Sequence, residues 1–414
     1  MEPKIRFNNN SWQKHKVREL CDLLTGYPFP GDKILNRGKN LLMRGINITE
    51  GRIRHSDEID RYYNEDTIGL EKYRLQVGDL VIGMDGSKVG KNSALVTSKE
   101  NYSLLVQRVA RLRNEDKNLI NLIQIAVGSD KFIKYVEEMK TSSAIPHISP
   151  ADIRNFPLSL PEDSNERRLV ASYFTSLDSQ ISAATSRLAS LKQMKAASLQ
   201  AMFPQEGETV PKIRFKGFEG EWKTCVLSSI ATMHARIGWQ NLRKDEFLSS
   251  GDYYLITGTD FHDGKISFET CHYIDKERYD QDKNIQLEID SILITKDGTL
   301  GKVAIVDSLD KPATLNAGVF NVRTKDKEIY PKYLFQYLKA PYLMDYVNKN
   351  ATGGTIKHLN QNMLVNFPVQ HPSYKEQVMI GDYLFNLDRQ ISLQSQRLEK
   401  LKQIKSACLD KMFV

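Results

Sequence analysis

Cysteine is scarce in this sequence, with 4 residues in 414. Cys21, Cys225, Cys271 and Cys408 lie far apart and form no Cys-x-x-Cys pair, which argues against a disulfide framework and a zinc knuckle and leaves reduced, structural thiols as the expectation. Cys271 and His272, with His262 nearby, lack the second ligand pair that a metal site needs, so no metal site is assigned. Long apolar runs are missing as well. No window approaches roughly eighteen consecutive apolar residues, and the opening MEPKIRFNNNSW has no apolar core of signal-peptide length. No membrane association is expected, and the cytoplasm is the expected compartment.

Catalytic signatures are also missing. No Ser-His-Asp order, paired-carboxylate signature or GxGxxG after a strand stands out, and the 8 histidines are scattered. His147 and His358 fall at equivalent places at the ends of TSSAIPH and TGGTIKH, with no nucleophile or acid partner in the pattern, and are read as framework or DNA contacts. The loops DGSKVGK (Asp85 to Lys91) and DGTLGK (Asp297 to Lys302) resemble phosphate-binding loops. A P-loop, however, needs glycine five residues before its Gly-Lys and Ser or Thr after it, whereas Asp85 and Lys296 hold the first position and Asn92 and Val303 the last. Nucleotide hydrolysis is not supported. Two readings remain for these loops: a solvated turn, or a glycine- and lysine-rich hairpin loop that meets DNA phosphate through backbone amides and Lys88, Lys91, Lys296 or Lys302. The segments Asn155-Phe-Pro-Leu158 and Asn366-Phe-Pro-Val369 lack the second proline and the aromatic of a methyltransferase base-holding loop. They are read as extended exits, because the residue before proline is pushed out of helix. No catalytic residue is assigned, and the chain is not expected to be an enzyme by itself.

What the sequence does have is a globular composition, 40% hydrophobic and 26% charged, long enough for two or three domains, and a formal charge of +7 that leans modestly toward an anionic partner. It also has a repeat. RLASLKQMKAASLQAMF (Arg187 to Phe203) returns as RLEKLKQIKSACLDKMF (Arg397 to Phe413), about 210 positions later. The match extends along the whole chain in order. PKIRF (Pro3 to Phe7) recurs at Pro211 to Phe215, and Trp12 is matched by Trp222. LMRGINITEGRI (Leu42 to Ile53) matches LITGTDFHDGKI (Leu255 to Ile266). LQVGDLVIGMDGSKVGK (Leu75 to Lys91) matches LEIDSILITKDGTLGK (Leu287 to Lys302), and TSSAIPHISPADIRNFPLSLP (Thr141 to Pro161) matches TGGTIKHLNQNMLVNFPVQHP (Thr352 to Pro372). About half of the terminal helix positions are identical, while the preceding segments agree only at framework positions. So long a repeat is a domain followed by a helix, not a solenoid unit.

Short β-like runs dominate each globular part, and the Asp-Gly steps after LVIGM and SILIT signal tight hairpins. Helices are expected around Asn118 to Met139 and Pro331 to Asn348. Apolar residues at Leu177, Ile181, Ala184, Leu188 and Leu191, and at Leu387, Ile391, Leu398 and Leu401 with Gln394 between, follow the alternating four-three spacing of a coiled-coil seam. A seam on a helix of roughly thirty residues, about 45 Å long, needs a partner, and the other copy is the obvious one. The expected fold is α+β: two β-rich domains related by internal duplication, separated by two long helices forming an antiparallel coiled coil.

With these pieces placed, the chain resembles the DNA specificity subunit of a type I restriction-modification system. The resemblance is carried by TIKHLNQNMLVNFPV and SAIPHISPADIRNFPL, by Glu166 and Glu376-Gln377 at the starts of the helices, by LDSQIS and LDRQIS, by RLASLKQMK and RLEKLKQIK, and by DGSKVGK and DGTLGK. One departure is ERRL at the first helix, where the family often has a Glu-Gln pair. The resemblance implies target-recognition domains at 1–160 and 206–371 and conserved helical spacers at 161–205 and 372–414. Each domain would read half of a bipartite, asymmetric target in double-stranded DNA, the helices would set the gap, and the chain itself would not be catalytic. It implies a prokaryotic cytoplasm and assembly with modification (methyltransferase) subunits, two copies by the symmetry of the helices, and with restriction (ATPase and nuclease) subunits. No cofactor is expected on this chain, whereas S-adenosylmethionine, ATP and Mg2+ are expected on the partners. The candidate DNA contacts are Arg44, Arg52, Arg54, Lys88, Lys91, Ser142, Ser143 and His147 in the first copy. In the second they are Thr257, Thr259, Lys265, Lys296, Lys302, Thr352, Thr355, Lys357 and His358. The competing readings are a duplicated protein-interaction scaffold that does not bind nucleic acid, and an enzyme with an unrecognised site.

Overall fold

The structure is a computed structural model and describes residues 12–86, 88–139, 146–237, 242–325, 328–350 and 358–412. It divides into two compact units, Met1–Thr185 with Arg397–Val414, and Ser186–Gln396.

In the first unit the strand Val109–Arg113 lies between Asp22–Thr25 and Leu80–Gly83, with Ser93–Leu95 at the far edge, all antiparallel. LVIG and VARL are buried at every position rather than at alternate ones because the sheet is covered on both faces, Arg111 being buried with its apolar neighbours. Leu80, Ile82, Ala110 and Leu112 pack in one core with the helices Lys117–Val127 and Asp130–Met139, while Val81, Ala94 and Val109 join Met43, Ile48 and Leu105 in another. Successive strand residues point to opposite faces, so one run serves two cores. A second sheet sets Asn40–Met43 between Tyr62–Tyr63, antiparallel, and Leu104–Leu105, parallel. A third pairs Trp12–Lys16 with Pro157–Pro161.

The second unit repeats this plan. Val319–Thr324 lies between Ala231–Ala235 and Ile292–Thr295, with Val303–Ile305 at the edge. Tyr253–Ile256 lies between His272–Ile274, antiparallel, and Ala313–Leu315, parallel. Lys223–Val226 pairs with Pro368–His371. The Phe-Pro exits are thus edge strands, each following a short helix, Pro150–Asn155 or Gln361–Val365. Each helix expected within a domain is in fact two. The first breaks between Val127 and Asp130, after Gly128, and the second becomes Pro331–Lys339 and Tyr342–Lys349, parted at Pro341, which has no N–H to continue a helix.

The long helices run over Ser164–Met202 and Tyr374–Met412, 39 residues each and longer than the repeat alone indicated. Each contributes to both units. In the first unit Asp178 pairs with Lys405 and the Tyr173 hydroxyl lies 3.6 Å from Cys408 Sγ; in the second Lys195 pairs with Asp388 and Ser198 Oγ lies 3.2 Å from the Tyr383 hydroxyl. In both, one partner number rises as the other falls, so the pairing is antiparallel. Along the seam Leu177, Ala184 and Leu398 are buried in the first unit and Leu191 and Leu387 in the second. Ile181, Leu188, Ile391, Gln394 and Leu401 are partly buried.

The ERRL departure is explained by what its arginine does. In the second unit Gln377, fully buried, donates to the Pro372 carbonyl at 3.0 Å and accepts from the Tyr330 N–H, at the N-cap of Pro331–Lys339, at 2.9 Å. Arg167, at the same place in the first unit, donates to the equivalent Pro161 carbonyl, and to that of Glu162, at 3.2 Å each, and faces Asp116, the N-cap of Lys117–Val127, at 3.9 Å. Different chemistry ties the start of each long helix to the same two points.

Candidate nucleic-acid interface

Leu80–Gly83 and Ser93–Leu95 form the expected hairpin, but residues 84–92 join them, not a two-residue turn, and in the second unit residues 296–302 do so. Asp85 and Asp297 are not left-handed; the left-handed positions are Gly86 and Gly90, at φ 99° and 89°, and Gly298 and Gly301, at 72° and 70°. The second glycine of each loop is favoured by its left-handed backbone and also by close neighbours. A Cβ on Gly90 would lie 3.2 Å from Val136, and one on Gly301 would collide with Met344 Sδ. The turn reading therefore accounts for the glycines, and the lysines remain: Lys88, Lys91 and Lys302 are exposed, while Lys296 is partly buried with its ammonium 5.6 Å from the Phe320 ring centroid.

Tertiary structure brings each loop to its histidine segment. The Ile148 N–H donates to the Met84 carbonyl at 2.8 Å and the Gly86 N–H to Pro146 at 3.2 Å, so exposed His147 stands beside Asp85. Equivalently, the Leu359 N–H donates to the Lys296 carbonyl at 2.9 Å, and His358 Nδ1 lies 2.6 Å from Asp297 Oδ1 in an exposed pair.

In the first unit a cleft of about 690 Å³ gathers Arg44, Arg54 and Lys88 with Asp85, Gln107 and Arg108. Four cations and one carboxylate line it, with Lys88 facing Glu50 at 3.7 Å just outside, so positive charge predominates there. The Arg44 guanidinium rests 3.4 Å from the Ile59 carbonyl oxygen and that of Arg54 2.9 Å from Ile46, while Arg108 pairs with Asp85 at 2.9 Å. Gln107 and Arg108 were not among the candidates. The signal for them is an exposed polar pair interrupting the buried run Leu104 to Leu112.

Other candidates lie elsewhere. Arg52 is exposed on the strand Arg52–Ile53 and Lys91 is exposed near the end of the loop, neither lining the cleft. Asp260 Oδ2 accepts from the Thr257 N–H at 2.8 Å at the start of the 3-10 turn Gly258–Asp260, much as Asn47 Oδ1 accepts from the Arg44 N–H at 3.3 Å in the first unit, and the Thr257 hydroxyl is engaged there too, 2.8 Å from Asp260 Oδ2 and 2.6 Å from Thr259 Oγ1. Lys265 is not brought together with Lys296 and His358. It pairs with Asp307 at 2.9 Å and lines a separate depression of about 290 Å³ with Lys192, Lys339 and Asp388, beside the long helices. The reason is register: Lys265 faces His262 across the hairpin, as Arg52 faces Thr49. Ser142, Ser143, Thr352, Thr355 and Lys357 lie outside the described residues.

Cys271 is buried, its thiol pushed up to about 12 by burial and by the nearby Asp260, and it donates to the Ser267 carbonyl at 3.2 Å. Among the described residues no group of three or more His, Cys, Asp or Glu side chains is placed to hold a metal ion, and no helix is long and apolar enough to cross a membrane.

The family described as Type I restriction modification DNA specificity domain matches residues 9–193 and again 219–403. The chain belongs to this family, twice over. The Type I restriction enzyme EcoBI specificity subunit of Escherichia coli is 22% identical over 418 residues, covering 95% of this chain and 84% of the relative. The EcoAI specificity subunit of the same organism is 29% identical over 161 residues, 38% of this chain and 27% of that one. A crystal structure of a type I restriction-modification system S subunit from M. genitalium shares the fold, with a TM-score of 0.67 at 17% identity over 100% of this chain and 99% of the other. The two family copies each contain one β-rich domain and most of the long helix that follows it. Membership in the specificity family makes this chain the DNA-recognition component of a type I restriction-modification complex, not its catalyst, and disfavours the scaffold reading without nucleic acid.

Proposed function

We propose that the two copies of this specificity chain each read one half of a bipartite, asymmetric double-stranded DNA target. The observation that carries the proposal is one framework built twice with different side chains on it: the same loop meets the same histidine segment in both units, but Arg44 in the first stands where Thr257 stands in the second. A common framework gives each unit one way of approaching a groove, and divergent side chains give each its own base preference. In the first unit Arg44, Arg54 and Lys88 face the DNA from the cleft, with His147 beside Asp85; Arg52 and Lys91 meet phosphate at its margin. In the second, Lys296, Lys302 and His358 take the corresponding part, with Thr257 and Thr259 beside them. Functionally the chain divides at 1–160, 161–205, 206–371 and 372–414. The long helices, to which both units contribute, set the gap between half-sites and dock two modification (methyltransferase) subunits. Restriction subunits complete the assembly in a prokaryotic cytoplasm. S-adenosylmethionine, ATP and Mg2+ act on those partners.

Co-expression with the modification subunit, followed by mapping of methylated adenines by long-read sequencing, tests this. The expected result is two short specific blocks around a fixed unspecified gap, and replacing residues 1 to 160 with another such domain should change one block only. Unmodified DNA or a continuous palindrome would refute it.

A further inference from the structure

We propose that Arg108 is the residue of the first unit that reads a guanine, with Asp85 as its positioning residue; the inference rests on the half-site reading above and names the side chain that supplies one position of it. The backbone there is pinned on every side. The Val106 N–H donates to Met43 at 3.1 Å, the Gln107 N–H to Tyr27 at 2.9 Å and the Val109 N–H to Val106 at 3.2 Å, while the Arg108 carbonyl accepts from the Met84 N–H at 2.9 Å. Gly26 passes so close that a Cβ on it would collide with the Val106 carbonyl. From this rigid turn Arg108 projects with its side chain 65% exposed, between buried Val106 and Val109.

Its conformation is costly for an arginine. Arg108 is left-handed, at φ 65°, a region that residues with a Cβ rarely adopt and that, when kept, marks functional sites. The fold does not call for this side chain: the equivalent residue of the second unit is Gly318, whose carbonyl accepts from the Lys296 N–H at 2.9 Å just as that of Arg108 accepts from Met84. Asp85 Oδ2 holds one guanidinium nitrogen at 2.9 Å. A guanidinium has five N–H donors, so one such bond aims the group and leaves donors for the O6 and N7 acceptors of guanine. A fixed backbone and a carboxylate that sets the side chain suit a base edge, which has one geometry, better than phosphate, which surface lysines meet loosely. Arg44, Arg54 and Lys88 around it supply the positive field.

The test uses the complete chain in complex with its modification subunit, as wild type and as Arg108→Ala, Arg108→Gly, Arg108→Lys and Asp85→Asn. In methylation maps one guanine position in one block should relax under the Ala and Gly variants, the other block staying unchanged. Binding to duplexes with that G·C pair replaced should show discrimination lower by roughly ten- to a hundredfold, at an unchanged salt slope. Arg108→Lys should keep part of the discrimination, and Asp85→Asn should weaken it at the same position only. Because the sister unit carries glycine there, Arg108→Gly is expected to fold. Affinity that falls equally on all sequences, with a salt slope lower by about one, would make Arg108 a phosphate contact and overturn the assignment. A wild-type split motif left unchanged by Arg108→Ala overturns this assignment alone. A wild-type complex without a split motif overturns the half-site reading and this assignment with it.

Discussion

Replacing Asp388 with asparagine should loosen the helix pairing of the second unit far more than Asp178→Asn loosens that of the first, although the two aspartates are equivalent in the repeat. Asp388 is 14% exposed and serves Lys195, itself 10% exposed, together with Lys339 at 3.4 Å and Gln336 at 2.8 Å. Asp178 is 50% exposed and pairs with a Lys405 that is 32% exposed. Neutralising a carboxylate inside a buried network leaves ammonium groups uncompensated in poorly solvated surroundings, at a cost of about 3–5 kcal/mol. The exposed pair is screened by water, and its loss costs about 0–1 kcal/mol. The difference, about 3 kcal/mol, is roughly a hundredfold in a local opening constant. Hydrogen exchange read by mass spectrometry on peptides from 186–202 and 374–396, against 164–185 and 397–412, measures it directly. Asp388→Asn should speed exchange by roughly a hundredfold in the first pair of peptides, and Asp178→Asn by less than about fivefold in the second. Equal effects, or an Asp388→Asn change within about 0.5 kcal/mol of zero, would refute the argument that burial decides between the two.

The same network sets a pH dependence. Burial, with the Lys339 charge adding to it and Asp388 opposing, lowers the Lys195 ammonium from 10.5 to about 8. Between these values the unfolded chain holds the proton that the folded chain has released, so stability rises with pH across that window by up to about 3 kcal/mol from this group; below pH 8 the penalty stands in full, and Lys195→Met should flatten the rise in urea titrations of the full chain. Gly301→Ala, which meets both a φ of 70° and Met344, should cost about 2–3 kcal/mol in a urea midpoint, whereas Gly298→Ala, at 72° with open space around it, should cost about 1. Arg167→Gln should be tolerated within about 0.5 kcal/mol, because glutamine makes the equivalent ties in the second unit, while Arg167→Ala should cost about 1–3 kcal/mol through loss of the hydrogen bonds Arg167 donates to the Pro161 and Glu162 carbonyls. Thermal melts of the three chains check this.

Much of the architecture was legible because it rests on local pattern. The seam and the Phe-Pro exits depend on residues near one another in sequence, and the duplication on comparing the chain with itself, so pattern alone reports all three. The Asp-Gly steps signalled hairpins correctly but the turn wrongly, since loop length depends on where the strands stop pairing. The candidate interface was legible in part. The Asp-Gly loop and the histidine segment were both singled out, but that they meet follows from the Ile148 to Met84 and Leu359 to Lys296 hydrogen bonds, which join segments some sixty residues apart. That Lys265 lies beside the long helices was not legible, because alternation along a two-residue strand does not say which face those helices cover.

Sequence alone determined that one domain and one helix occur twice, and that the helices carry a heptad seam, because repeats and periods are one-dimensional properties. Only the tertiary structure decided the rest. Burial at Asp388 and exposure at Asp178 distinguish equivalent aspartates, since desolvation depends on what packs around a charge. The strained turn at Arg108 became visible only when strands distant in sequence pinned its backbone and left its side chain exposed over the cleft.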